Sequence, residues 1–494
     1  MEDEWTANAN EALTISLVRP SASKIEKLTS FNPKFTYPIF GEDERIFGYK
    51  GLRINLQYDA RNLRPHLSIS SIKKFNAVSE VEAVDVKAVL KEFLPGVAFQ
   101  TRSDYEHAIK DVPDTWTPPG TLVKTAEKNG ETYEIWKGSL ADTAVKQLIR
   151  RIEIIALLFI EGGSYIGLDA NGNDDPAHSL TRWSVFFIYK KQTIPGATEK
   201  HEYVFHGFST VYDFWMYQLP SPPRTPDAHN APIKPNVDHS WELPRGDLDV
   251  DLPRRARISQ FIILPPYQGK GLGALLYDTI FALYTADMGT KEITVEDPNE
   301  DFDLLRDICD LKYLRKNVPE FSALSVNSKV SIPDKGGLLH HNTQISSNSA
   351  NSSAGGIVDI AMLEAMRVKS KIAPRQFWRL VEMHLMSTLP VSVRPNADVE
   401  ATKPQAPKAD RKVYSLWRFL LKQRLYRRNV LILADLEITE RIIKLNETVN
   451  NVEWEYARIL ERLEPKTTTP NGKRKVDEVD DDAPPAKKVR VADV

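Results

Sequence analysis

The sequence predicts an α+β protein with an N-terminal mixed α/β domain, a central mixed and mainly antiparallel sheet with helices, and a C-terminal helical domain. Three observations carry that prediction. Between 182 and 217 two segments rich in aromatic and β-branched residues flank a turn at Pro195-Gly196, the pattern of an antiparallel strand pair. From 257 to 278, RISQFIILPPYQGKGLGALLYD runs from an apolar strand through two prolines and alternating glycines into an amphipathic helix. Beyond about 315 the apolar spacing turns helical, and VYSLWRFLLKQRL places Val413, Leu416, Trp417 and Leu420 on one face.

The elements follow in order. Residues 1–140 mix short strands with one clear helix, EVEAVDVKAVLKEFL, and turn signals at Pro95-Gly96 and Pro118-Pro119-Gly120, which predicts a small α+β domain. The central domain, 141–315, opens with the helix AVKQLIRRIEIIALLFI. Its run IEIIALLFI is far shorter than the roughly 18 apolar residues of a membrane span, so it predicts a buried helix. After the strand pair, eight prolines between Pro220 and Pro253 predict a long surface connection. KEITVEDPNEDFDLLRD predicts a strand ending near Glu296 and a new helix, with Asp297 as N-cap and Pro298 at its first position.

The helical domain, 316–465, is interrupted by an insert at 331–356, where NTQISSNSANSSAGG is too polar to order itself. The tail, 466–494, holds basic clusters at 473–475 and 487–490 around an acidic, proline-containing spacer, like a bipartite nuclear localisation signal that an importin reads. A solvated charged tail is the plainer alternative.

Composition removes several classes. With 41% hydrophobic and 27% charged residues the chain is an ordinary globular one, and its formal net charge of -2 gives no global attraction to nucleic acid. One cysteine, Cys309, excludes an internal disulfide, and no Cys/His cluster has metal-ligand spacing, so no metal is expected. The N-terminus lacks the basic start and apolar run of a secretory signal.

Glycines at alternate positions before a helix let the backbone approach a phosphate, which the unpaired amides of the first turn then bind. A triphosphate loop needs Gly-Lys-Ser/Thr, and Gly271-Leu272-Gly273 stands there instead. Gly269, Gly271 and Ala274 match the dinucleotide fingerprint, with acidic Glu296 following at a strand end. Against a nicotinamide-dependent oxidoreductase stand Pro265 to Gln268 between strand and turn, and the antiparallel pattern upstream. A purely structural turn is a further alternative.

Gln268-x-x-Gly271-x-Gly273 resembles the Q/R-x-x-G-x-G/A loop of the GNAT acetyltransferase superfamily. Taken with ITVEDPNEDFDLLRD, FIEGGSYI, GFSTVYDFWMY and FGEDERIFGYKGL, it is similar to the family of type B histone acetyltransferase catalytic subunits over most of residues 12–315, while the C-terminal helices agree in type only. The resemblance implies acetyl-CoA as cosubstrate. Its diphosphate would take the amides of Gln268, Gly269, Lys270, Gly271, Leu272, Gly273 and Ala274, and its arm would pair with the strand at Phe261, Ile262 and Ile263, with Asn299 nearby.

The same resemblance places the general base at Glu296, with Glu161 and Asp297 as further acidic groups of the active site. A lysine ammonium, with a pKa of about 10.4, has no lone pair until a carboxylate takes its proton. Read alone, these carboxylates are caps or solvated acids, and Cys309 lies in a helix pattern as a core residue. The tail of newly made histone H4, carried on an H3–H4 dimer, is the implied substrate, with a second core histone as a further candidate. Its groove would use Glu42, Asp43, Glu44, Tyr212, Asp213 and Phe214; a charged turn and a doubly buried strand are the alternative readings. A WD-repeat histone-binding subunit as partner and a nuclear and cytoplasmic location are likewise implied, with neither membrane nor sequence-specific nucleic acid contacts. A histone-binding scaffold without catalysis is the rival from another class.

Overall fold

The structure, a computed structural model, describes residues 3–21, 24–78, 81–194, 197–216, 252–330, 356–396 and 406–463. The Pro195-Gly196 turn, most of the proline-rich connection, nearly all of the expected insert and the basic tail lie outside them. The chain divides into two compact units, Met1–Thr388 and Leu389–Val494.

The first unit begins with a four-stranded sheet, β1 (Leu13–Pro20), β2 (Ile25–Phe31), β3 (Arg53–Asp59) and β4 (Pro65–Ser70), in the order β2-β1-β3-β4. Leu13, Ile15 and Leu17 alternate inward along β1, and Ile54, Leu56 and Tyr58 do so along β3. The helix expected over EVEAVDVKAVLKEFL is shorter, α1 (Val86–Lys91), because the Asp85 carboxylate caps it by accepting from Lys87 and Ala88 N–H. A second helix, α2 (Arg102–Lys110), starts at the Thr101 cap.

The second sheet has six strands: β5 (Thr121–Lys128), β6 (Glu131–Ser139), β7 (Trp183–Ile194), β8 (Ala197–Trp215), β9 (Arg254–Ile263) and β10 (Thr290–Val295). Their order is β10-β9-β8-β7-β6-β5. Every neighbouring pair is antiparallel except β9 and β10. Helix α3 (Thr143–Phe159), capped by Asp142, buries Ile152, Ile155 and Leu158 in a core shared by both sheets. One such aliphatic side chain stabilises the fold by about 1.5–3 kcal/mol.

Helix α4 (Leu272–Ala286) connects β9 to β10 and buries Leu272, Leu276 and Ile280. Helix α5 (Glu300–Asn317) follows, then α6 (Ile360–Ser370) and α7 (Pro374–Ser387), so helices as far as Ser387 belong to the compact unit that holds the sheets. Cys309 is buried in α5, and burial, with Asp278 beside it, pushes its thiol well up, as suits core packing. In the second unit α8 (Lys408–Arg428) and α9 (Ile438–Leu463) pack together, with Leu416, Trp417, Leu420 and Tyr456 buried. Among the described residues no helix is long and apolar enough to cross a membrane.

Candidate active site

The one parallel pair of the six-stranded sheet makes a fork. Strand β10 follows β9 only from Arg254 to Ile258, and the last rung is the Glu296 N–H donating to Ile258 O at 2.9 Å. Strand β9 continues to Ile263 with β8 on one side and, among the described residues, no strand on the other. At the branching point Thr210 pairs with Gln260 and Val211 with Ile258, so Ser259 is an extra, bulged residue. Beyond it Gln260 N–H donates to Thr210 Oγ1 and Leu264 N–H to His206 O, both toward β8. Strand alternation therefore turns the main-chain groups of Phe261 and Ile263 toward the open side, and those of Ile262 toward β8.

The glycine turn stands at the end of that open edge. The Gln268 amide donates to Ile263 O at 2.8 Å, tying the turn to the strand. Gly269 (φ 72°) and Gly271 (φ 75°) are left-handed, a conformation that other residues adopt only with strain. Gly271 is the N-cap of α4 and no side chain caps that helix, so its first amides have no side-chain partner. Sequence reasoning missed Lys128, the last residue of β5. Its ammonium donates to Gly271 O at 3.0 Å, and a Cβ at Gly271 would collide with it. Only the curl of the sheet brings together residues 143 apart.

Glu296 sits at the mouth of the fork. The Ser259 hydroxyl donates to Oε2 at 2.5 Å, and Arg257 Nη2 lies 3.0 Å from Oε1. Each oxygen keeps a lone pair for another donor. Asp297 has φ 33°, a strained value for a non-glycine, and it is not the helix cap. Asn299 caps α5 instead, accepting from Phe302 N–H at 2.9 Å, because the left-handed Asp297 and the following Pro298 delay the start of the helix.

Three chain segments converge on the fork. The Gln260 amide donates to Ser164 O at 2.7 Å and so anchors the exposed turn carrying Glu161. Gly162 N–H in that turn donates to the Tyr37 hydroxyl at 3.2 Å, and Tyr37 N–H donates to Glu44 Oε1 at 3.1 Å. Glu44 also holds Asn10 and Thr36, so its charge is committed to structure, whereas Glu42 and Asp43 are exposed. On β8, Tyr212 and Phe214 are in contact, 4.6 Å between centroids, and Phe214 lies under the Arg257 guanidinium at 4.3 Å. This wall leads to Glu296.

Asp213 points to the opposite face. There it borders a cavity of ≈ 750 Å³ with Lys137, Arg254 and Tyr284, and burial pushes its carboxyl up to about 6 against the opposing pull of Arg254 and Lys137. The doubly buried reading of this strand thus fails at Tyr212 and Phe214, which are half-buried.

A mainly antiparallel sheet forked at its one parallel pair, with a glycine turn opening the helix between the forking strands, defines the class of this protein: an acetyltransferase. The dinucleotide alternative, disfavoured by the sequence, needs several parallel strands, and among the described residues this sheet holds one parallel pair. Family models agree, one for the histone acetyl transferase HAT1 N-terminus over residues 5–161 and one for the fungal HAT1 C-terminal region over 345–390. The histone acetyltransferase type B catalytic subunit of Gibberella zeae is 46% identical over the full length of both chains. Those of Neurospora crassa and Pyricularia oryzae are each 42% identical, the first over 97% of this chain and 96% of its own, the second over 99% of each. The chain belongs to the family of type B histone acetyltransferase catalytic subunits. A solved aminoglycoside acetyltransferase from a soil metagenome aligns with 38% of this chain and 88% of its own at 16% identity and a TM-score of 0.19.

Proposed function

We propose that the protein transfers an acetyl group from acetyl-CoA to lysines in the N-terminal tail of newly synthesised histone H4, by direct attack in a ternary complex with Glu296 as general base. Histone acetylation follows from the family, and the finer reading rests on the fork. One observation carries it: β9 keeps an open main-chain edge that runs from Glu296 to the glycine turn, the layout needed to lay a peptide-like arm between a base and a diphosphate site.

In this reading Glu296 takes a proton from the lysine ammonium, and the freed amine attacks the thioester carbon. The tetrahedral oxyanion is met by a main-chain N–H of the open edge near Phe261. The C–S bond then breaks, the acetyl group stays on nitrogen, and the thiolate, conjugate base of a thiol with a pKa near 8.5, leaves and takes up the proton that the acylated nitrogen sheds. Phe261, Ile262, Ile263 and residues 268–274 hold the cofactor, with Asn299 at the cap of α5 beside it. Glu161 and Asp297 add negative charge beside the base. Glu42 and Asp43 draw the basic tail, and Tyr212 and Phe214 form its aromatic wall.

The substrate is presented as an H3–H4 dimer with a WD-repeat histone-binding subunit, and the basic tail engages importin, giving a nuclear and cytoplasmic location. Acetyl transfer from labelled acetyl-CoA to an H4 tail peptide tests the core of the proposal. Glu296→Gln is expected to lower kcat about 10²- to 10⁴-fold with near-normal acetyl-CoA affinity. Unchanged turnover in the variant would remove Glu296 from its role.

A further inference from the structure

Strand β5 lies along α4 as well as closing the sheet. Thr121 and Val123, near its start, border the same cavity as Leu283 and Tyr284 near the end of α4, while Lys128, at its other end, reaches Gly271 at the start of α4. The strand therefore spans the helix and delivers its last residue to the opening turn. Asn129 (φ 53°) and Gly130 (φ 76°) then reverse the chain in a tight two-residue hairpin, which fixes where Lys128 sits.

Lys128 is half-buried, and its hydrogen-bond partner is the neutral Gly271 carbonyl. Asp278 on α4 feels its charge, but no carboxylate among the described residues forms an ion pair with it. An ammonium has three N–H donors, so two remain after the bond to Gly271. A positive charge held against the amide-rich start of a helix adds to the attraction those amides already exert on an anion.

We propose that Lys128 is a cofactor-binding residue that pairs with the diphosphate of acetyl-CoA, a role that rests on the proposed use of the glycine turn. The β5–β6 hairpin thereby forms a second wall of the diphosphate site, opposite in sequence and in origin to the turn itself. The contact is a charge-assisted hydrogen bond at a partly exposed site, and it weakens with salt.

Calorimetric titration of the full chain with acetyl-CoA, combined with turnover on acetyl-pantetheine, which carries the thioester but no phosphate, tests this. Lys128→Ala is expected to weaken acetyl-CoA roughly five- to tenfold, and Lys128→Glu further. KM for acetyl-pantetheine stays at the wild-type value. Lys124→Ala, which removes an exposed charge from the same strand, leaves acetyl-CoA affinity unchanged. Two results overturn the proposal: unchanged acetyl-CoA affinity in Lys128→Ala, or an equal loss on acetyl-pantetheine, which marks Lys128 as structural. A deficit that vanishes with the dephospho form, lacking the ribose 3′-phosphate, overturns the assignment to the diphosphate. Failure of the wild-type chain to bind acetyl-CoA sinks the use of the glycine turn itself, a different outcome from a wild type that binds and a Lys128 variant that matches it.

Discussion

Glu296 is held at both oxygens, by the bulged Ser259 and by Arg257, so its carboxylate cannot rotate away from the fork without losing two partners. Ser259→Ala removes one of them without emptying any core space. If Glu296 is the base, as proposed, the change is expected to lower kcat about tenfold through looser placement of that carboxylate, with a thermal midpoint close to wild type; a kcat unchanged from wild type sinks the positioning role. A second prediction concerns pH. Burial puts the Asp213 carboxyl at about 6, above its ordinary 3.8, so between those values the folded chain holds a proton that the unfolded chain has released. Stability therefore falls as pH rises from about 4 to about 6 and is level above, by at most about 3 kcal/mol. Asp213→Asn should flatten that slope in denaturant titrations run across the window. At this scale the sequence was a partial guide. The strand ending near Glu296 was legible because ITVEDP is a long local pattern, but the commitment of Glu44 to Asn10, Thr36 and Tyr37 depends on contacts that no local pattern encodes.

Elements behave differently, because each carries its own signal. The strand, turn and helix from Arg254 to Ala286 could be read directly, since alternation, two prolines and alternate glycines all point the same way. The cap of α5 could not, because Asp297 and Asn299 are both good caps and only the left-handed backbone at Asp297 decides between them. Asn299→Ala should cost about 1 kcal/mol in chemical denaturation, and Asp297→Ala should cost nothing through lost capping. Gly271→Ala meets two obstacles, a φ of 75° and the Lys128 ammonium. A loss of about 1–3 kcal/mol is expected, with weakened acetyl-CoA binding measured by the same titration. The bulge at Ser259 and the reach of β5 along α4 left no trace in the sequence because each arises from how strands far apart in the chain are set against one another.

Across the whole molecule, every residue assigned to the cofactor, the base and the aromatic wall lies within Met1–Thr388. A chain ending at Thr388 is therefore expected to bind acetyl-CoA as the full chain does, and a large loss of affinity on isothermal titration counts against that division of labour. The formal charge of -2 gives little long-range attraction for a basic tail, so in the proposed reading Glu42 and Asp43 act locally. One consequence of the fork reaches furthest. Where an acyl carrier is gripped by peptide groups, as proposed for Phe261 and Ile263, amino-acid replacement has little purchase on the grip, so selectivity for the carrier would resist drift while the kink that exposes those groups persists. Specialisation toward different proteins can then proceed on the rim, with the chemistry beneath it left undisturbed.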